Sequence, residues 1–368
     1  MTKNLLIVTD FYTPHKSGII TYIDLFITHL KLQNIKITIL TTKHNINDSH
    51  IEHYNGVKII RCKPFVKISR GFYSVELVLK FLEISKEFDI INIHLPLTEL
   101  FPLVFFMSKK KSITTFHCLP EFPLYAVFIK FYFYFCGIFS MIRSKKIIVL
   151  SKDYFKSIFF HKIFHNKTFE ISPYVITQKK NLPLKIENKN MNIGYLGRLS
   201  NEKGLEYLIQ VSNKMFSKGI KHELIIAGND KDKRFYNYIS YLKKLSLNNP
   251  SIKFIGYINE QKKDTFYKKI DLFVLPSINS FEAFGIVQLE AMSYGIPVIA
   301  SNICGVRTIV NNTQGGLLFE NKNVRDLYYK IVNFKKNKFN PEIIKLNLEK
   351  YYNKNKFENQ ISRLFKSM

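Results

Sequence analysis

Two carboxylates separated by seven residues, Glu282 and Glu290, stand in the stretch of this chain richest in chemistry, Ser277-Ile-Asn-Ser-Phe-Glu282-Ala-Phe284-Gly285-Ile286-Val-Gln-Leu-Glu290-Ala-Met-Ser-Tyr-Gly295-Ile-Pro297-Val-Ile-Ala-Ser301. A buried strand ending at Leu275, a polar loop and a helix starting near Phe284 or Gly285 are expected, with Glu282 just before the helix and Glu290 within it. The first N–H groups of a helix carry partial positive charge and can hold a phosphate. Gly285 lets a ligand approach the backbone closely. The carboxylates repel phosphate but accept hydrogen bonds from the vicinal hydroxyls of a sugar or ribose. The plain alternative is a first-turn Glu favoured by the helix dipole plus a solvated helical Glu. A second set, Gly197-Arg198-Leu199-Ser-Asn-Glu202-Lys203-Gly204, directly follows an expected strand. Cations in a strand-to-helix turn can neutralise a diphosphate as negative charge develops on it; the alternative is an exposed turn with ordinary surface charges.

Elements able to position these groups are legible. Short apolar runs alternate with longer amphipathic segments, the pattern of α/β domains with parallel sheets. Strands are expected at Asn4–Thr9, Lys36–Leu40, Val57–Arg61, Ile90–His94, Ser112–Phe116 and Lys146–Leu150, with a helix over Gly18–Leu32. The alternation restarts at Asn192–Leu196, followed by strands at Glu223–Ala227, Lys253–Ile255, Leu272–Leu275 and Pro297–Ala300, and helices over Leu205–Phe216 and Asp264–Lys269. Two Rossmann-like, doubly wound domains are therefore expected, at 1–177 and 191–345. A Lys- and Asn-rich linker would span 178–190, and a helical tail, 346–368, would pack back toward the first domain. Ligands of such sheets bind at the carboxyl ends of the strands, so a cleft between the domains is the default site.

With 368 residues and a hydrophobic fraction of 46%, the chain can bury real cores. Its 55 basic and 28 acidic residues give a formal net charge of +27, which favours anionic partners. The lysines are scattered rather than gathered in an arm, and no nucleic-acid-binding motif is present, so no nucleic acid is expected as partner. Cys62, Cys118, Cys136 and Cys304 are widely spaced and read as reduced thiols of a cytoplasmic protein, with no zinc site. The first apolar run, Leu5–Val8, is too short for a signal peptide.

The Ser277–Ser301 stretch resembles the E-x7-E region of the large family 4 of retaining GT-B glycosyltransferases, also called glycosyl transferases group 1. Gly197–Gly204 resembles that family's G-R-L-x-x-E-K-G. Ile225-Ile-Ala-Gly228 and Phe254-Ile-Gly256-Tyr257 resemble shorter family segments. The resemblance implies a GT-B architecture and a nucleotide-sugar donor. Glu282 would hydrogen-bond the donor sugar, the backbone of Phe284, Gly285 and Ile286 would line sugar and diphosphate, and Glu290 would bind ribose. Arg198 and Lys203 would stabilise the leaving diphosphate.

In the first domain, Asp10-Phe-Tyr-Thr-Pro14-His-Lys-Ser17-Gly18-Ile19 resembles the family's diphosphate loop, with Ser17 replacing the first of two glycines and Gly18 retained. Thr115-Phe116-His117 resembles the segment whose His contacts the donor sugar; a lone His is otherwise most often structural. The catalytic set implied is thus His117, Arg198, Lys203 and Glu282. Ile171-Ser-Pro173-Tyr-Val175 departs from the family's Asn-Gly, and Cys304-Gly305 and Thr308 from its Gly-Gly and Glu, which blurs the substrate. Metal-independent transfer without a cofactor is expected, with Arg198, Lys203 and the helix start in place of a metal. The general base stays unassigned.

Phe122–Ile142 is highly aromatic, with Lys130 as its one charge and Arg143, Lys145 and Lys146 behind it. It reads as a buried helix, as a surface entering an anionic membrane, or as a span, which would separate a pair of strands belonging to one sheet. A glycan or lipid-linked acceptor follows, in cell-surface polysaccharide or lipopolysaccharide biosynthesis on the inner face of the cytoplasmic membrane. The rivals are a GT-B sugar-nucleotide epimerase, a storage-polymer glucosyltransferase, and a basic nucleic-acid-binding or scaffold protein.

Overall fold

The computed structural model describes residues 3–45, 47–68, 71–120, 127–177 and 190–368, with backbone alone at 68 and 337. The expected linker, apart from Asn190, and the start of the aromatic segment, 122–126, lie outside the described residues. The chain divides into two compact units, Met1–Pro173 with Phe357–Met368, and Tyr174–Lys356.

In the first unit the elements are β1 (Asn4–Val8), α1 (Gly18–Lys31), β2 (Lys36–Thr42), β3 (Ile51–Tyr54), β4 (Val57–Cys62), β5 (Val66–Ile68), β6 (Gly71–Tyr73), α2 (Val75–Ile84), β7 (Ile90–Leu95), α3 (Leu100–Phe106), β8 (Ser112–Phe116), α4 (Val127–Arg143), β9 (Lys146–Val149), α5 (Lys152–Lys156) and β10 (Thr168–Glu170). Its main sheet runs β10-β9-β8-β7-β1-β2-β4-β3, parallel except for the antiparallel pair β3–β4. Strands such as β1, buried from Leu5 to Val8, read as unbroken apolar runs because helices cover both faces of a parallel sheet. The chain winds from β1 to β2 and β4 on one side and resumes at β7 on the other, so the carboxyl ends of β1 and β7 flank a topological switch point.

Every strand expected from sequence in this unit is present, with ends shifted by a residue or two. β3, β10 and the hairpin β5–β6 were not expected. β3 turns into β4 through Asn55 and Gly56, both with positive φ (48° and 71°), the backbone that a tight two-residue hairpin needs.

The second unit comprises β11 (Met191–Leu196), α6 (Leu205–Ser217), β12 (His222–Ala227), α7 (Tyr236–Leu245), β13 (Ile252–Gly256), α8 (Glu260–Lys269), β14 (Leu272–Leu275), α9 (Ile286–Ser293), β15 (Val298–Ser301), α10 (Val306–Thr313), β16 (Gly316–Phe319), α11 (Val324–Val332) and α12 (Pro341–Tyr351). Its six-stranded parallel sheet has the order β13-β12-β11-β14-β15-β16. Here the switch point falls between β11 and β14. The tail is two helices rather than one, with α13 (Lys354–Lys366) following α12. From Phe357 onward it belongs to the first unit, where Phe357 packs on Tyr22 at 6.0 Å and Phe365 on Phe26 at 6.0 Å.

The loops leaving β11 and β14 are docked on each other through backbone. Ile278 N donates to Glu202 O at 2.9 Å. Gly204 has φ +61°, and a Cβ there would lie 2.2 Å from Pro276 O. Gly204→Ala is therefore expected to push the two loops apart and destabilise the second unit by about 1–3 kcal/mol. A thermal unfolding transition unchanged from wild type would show that the loops are not so constrained.

Candidate functional site

The two sequence motifs of the second unit sit on adjacent strands. β11 ends at Leu196 and leads into Gly197–Gly204; β14 ends at Leu275 and leads into Pro276–Gly285. Parallel pairing of β11 with β14 places both loops at the same carboxyl edge of the sheet. Close backbone approach explains the neighbouring glycine of the Ala-Gly match, because a Cβ on Gly228 would lie 2.3 Å from Gly197 O. Ser301, at the end of β15, fixes the second loop by donating its hydroxyl to Ser277 O at 2.6 Å.

Across this edge Lys203 Nζ forms an ion pair with Glu282 Oε2. Their side chains are only 15% and 12% exposed, so both charges are largely withdrawn from water and compensate each other. Ser277 Oγ adds a 3.3 Å hydrogen bond to the same carboxylate oxygen. Beneath them Tyr195 is fully buried, and burial, followed by the negative charges of Glu282 and Glu202, pushes its phenol well above the ordinary range. Tyr195 therefore stays neutral and donates to Arg198 O at 2.8 Å.

Arg198 does not join the Lys203–Glu282 pair. Its guanidinium is partly exposed and lies 3.8 Å from Glu202, whose buried carboxylate also accepts from Ser200 Oγ at 2.7 Å. Glu202 is thus an anchor within the motif that residue type alone did not single out.

α9 starts one residue later than expected. Gly285 is its cap, at φ +80°, and a Cβ there would lie 2.7 Å from both Leu275 Cδ2 and Gln288 Nε2. Ile286 opens the helix, while Phe284 is buried and packs edge-on against Tyr352 at 5.9 Å. Glu290 faces α8, accepting from Lys263 Nζ at 2.9 Å and from the Tyr267 hydroxyl at 2.9 Å. Lys263 and Tyr267 were missed in the sequence because no motif holds them. They fix the orientation of the carboxylate and leave it lone pairs for further donors.

In the first unit His117 follows β8 and is nearly buried. Its Nε2 lies 2.9 Å from His94 Nδ1, and the ring packs edge-on against Tyr22 at 5.3 Å. Burial lowers the pKa of His117 to about 3; His94 is lowered too, by burial and then by the neighbouring ring. Both imidazoles are neutral near pH 7, so His117 is a hydrogen-bonding group there and not a store of positive charge. Gly18 is the first residue of α1, in ordinary backbone, with open space around its Cα. Ser17, in place of the expected first glycine, is the helix cap, its Oγ accepting from Ile20 N at 3.3 Å. Thr98 Oγ1 lies between the carboxyl groups of Asp10 and Glu99, 3.3 Å from Asp10 Oδ1 and 2.9 Å from Glu99 Oε2, with one hydrogen to donate. Burial pushes Glu99 up to about 7 and raises Asp10 as well.

The one Asp-x-Asp triplet, Asp230-Lys231-Asp232, is committed to neighbouring cations: Asp230 to Lys243 at 2.8 Å and Asp232 to Arg234 at 2.7 Å. These hydrogen bonds are the main reason both carboxyls lie below their usual pKa. None of the four cysteines forms a disulfide.

Residues 177–357 match the family model described as "Glycosyl transferases group 1". The capsular polysaccharide biosynthesis glycosyltransferase CapM of Staphylococcus aureus is 30% identical over 46% of this chain and 47% of CapM. The chain spans about half, or less, of the length of the curated relatives it matches. Among solved structures, sucrose-phosphate synthase from Thermosynechococcus elongatus superposes with a TM-score of 0.79 at 16% identity, covering 99% of this chain and 98% of that one. HepE of Anabaena, in complex with UDP-glucose, superposes with a TM-score of 0.75 at 15% identity over 100% of both chains. These likenesses establish the GT-B fold. The match to the glycosyl transferases group 1 family thus lies in residues 177–357, just under half of the chain.

Proposed function

We propose that this protein is a retaining, metal-independent glycosyltransferase that takes a sugar from a nucleotide-sugar donor to a glycan or lipid-linked acceptor. The Lys203–Glu282 pair at the start of α9 carries this reading. A cation and a carboxylate held together and poorly hydrated suit a ligand that is anionic at one end and rich in hydroxyls at the other. Bound diphosphate would take over Lys203, with Arg198 close behind in the same loop. Glu282, released from its cation, would accept hydrogen bonds from sugar hydroxyls. The N–H groups at the start of α9 and the bare backbone at Gly285 would face the diphosphate. Glu290, aligned by Lys263 and Tyr267, would accept from the ribose hydroxyls. In the first unit, His117 and the start of α1 at Gly18 are the candidate substrate contacts.

As the glycosidic bond breaks, charge grows on the leaving phosphate. Lys203 then gains in the transition state more than it gives in the ground state, which lowers the barrier. Retention follows if the acceptor hydroxyl attacks from the leaving-group face and gives its proton to the departing phosphate. The acceptor class is supported by the name of CapM and by the aromatic helix α4. A role in cell-surface polysaccharide or lipopolysaccharide assembly is the reading that joins them.

Nucleotide sugars should raise the melting temperature in a thermal-shift screen, and the best of them should serve as donor. Lys203→Ala should lower kcat/KM by roughly 10²–10³-fold. Glu290→Ala should mainly raise the donor KM, the mark of binding lost equally in ground and transition states. Donor stabilisation insensitive to both substitutions would rule out this site. Turnover should persist in excess chelator; activity abolished by chelator and restored by a divalent cation would refute metal-independent transfer.

A further inference from the structure

α4 carries its apolar side outward. The face turned to the sheet holds Phe133, Cys136, Gly137, Ser140 and Met141, and includes a hydroxyl pair, Ser140 Oγ with Thr114 Oγ1 at 2.8 Å. The opposite face holds Phe128, Phe131, Phe135, Phe139 and Ile142, spaced three or four residues apart and therefore one stripe of the helix. The first three are 83%, 68% and 52% exposed. The stripe does not stand alone. Phe101 and Phe105 of α3 are also exposed and meet edge to face at 5.3 Å, and Tyr132 links α4 to the start of α3 by donating to Thr98 O at 2.6 Å. Exposed Phe159 stacks on Tyr134 at 6.0 Å. A contiguous apolar surface of this kind is rarely left to water without a partner.

Charge identifies the partner. From Leu100 to Phe169 the chain has eleven Lys or Arg residues and only two acids, Glu121 and Asp153. Lys109 and Lys110, in the turn after α3, and Lys130 on α4 are exposed, as is Arg143, which also donates to Phe105 O at 2.9 Å. Lys145 and Lys146 of the expected basic flank are instead engaged within the protein, by Met368 O at 2.5 Å and the Phe169 ring at 4.8 Å. Two copies of a chain of net charge +27 meeting through this face would bring like fields together, whereas an anionic bilayer supplies both the opposite charge and the apolar phase. Among the described residues no helix is long and apolar enough to cross a membrane.

We propose that α4, with α3 and Phe159, is a membrane-docking face. The helix lies in the plane of an anionic lipid surface, the Phe stripe enters the boundary between headgroups and acyl chains, and the exposed lysines meet lipid phosphates. This deepens the acceptor class proposed above and is read out by lipid binding alone, without any donor.

The test is co-sedimentation of the full chain with vesicles of phosphatidylcholine containing about 30% phosphatidylglycerol, beside pure phosphatidylcholine. Wild type should bind the anionic vesicles, bind the neutral ones poorly, and lose binding as salt rises. The triple variant Phe128→Ser, Phe131→Ser, Phe135→Ser should lower the partition coefficient roughly tenfold or more. Its melting temperature and its stabilisation by a nucleotide sugar should stay at wild-type values. K109A/K110A should weaken binding to anionic vesicles alone. Wild type that ignores anionic vesicles, a triple variant that binds as wild type does, or a wild-type dimer that the triple variant dissociates while neither binds vesicles, would each overturn the proposal. Loss of donor stabilisation in wild type, with vesicle binding intact, would strike the enzymatic reading and leave this one standing.

Discussion

The ion pair between Lys203 and Glu282 joins the loops that leave two neighbouring strands, and most of the second unit can be understood as the means of holding it. The residues are far apart in sequence and meet because the chain returns to β11 from the other side with β14. Breaking one partner of a largely buried pair leaves an uncompensated charge, at a cost of about 3–5 kcal/mol. The loops are accordingly fixed by backbone rather than by long side chains: Gly204 against Pro276, Gly228 against Gly197, and Ser301 bonded to the Ser277 carbonyl. A site held this way reorganises little when a ligand exchanges partners with the pair, which is what electrostatic preorganisation requires.

Charge compensation in the resting protein also explains why strong basicity need not mean an open cationic groove. Lys203, Lys263 and Arg198 each stand beside a carboxylate, Glu282, Glu290 and Glu202. An anion with no hydroxyls to offer Glu282 gains Lys203 only by displacing it. A ligand combining diphosphate with sugar satisfies both at once, so discrimination against simple phosphates arises from the pair itself.

Much of this was legible in the sequence, and the reasons for the exceptions differ. Buried parallel strands announce themselves as apolar runs, and Gly204 and Gly285 of the two motifs sit where a Cβ would strike the Pro276 carbonyl and the Leu275 and Gln288 side chains. The hairpin β3–β4 carries a plain Asn55-Gly56 turn signal, but Ile51–Tyr54 has no apolar alternation to mark it as a strand. β16 was not expected either; it needs Gly316 because a Cβ there would lie 1.8 Å from Val298 O. Lys263 and Tyr267 could not be found without the packing of α8 on α9. The His94–His117 contact depends on the pairing of β7 with β8. For α4, a sequence apolar nearly all round cannot declare which face is inward. The structure places Phe133, Cys136, Gly137, Ser140 and Met141 inside and Phe128, Phe131, Phe135 and Phe139 outside.

The most direct measurement is calorimetric titration of a nucleoside diphosphate, and of its sugar ester, into wild type, Lys203→Ala, Glu282→Ala and the double variant. If the ion pair is the resting state of a donor site, Lys203→Ala weakens both ligands. Glu282→Ala weakens the nucleotide sugar yet tightens the nucleoside diphosphate, because the competitor for Lys203 is gone. Equal weakening of both ligands by Glu282→Ala, or no effect of Lys203→Ala on either, would contradict the account.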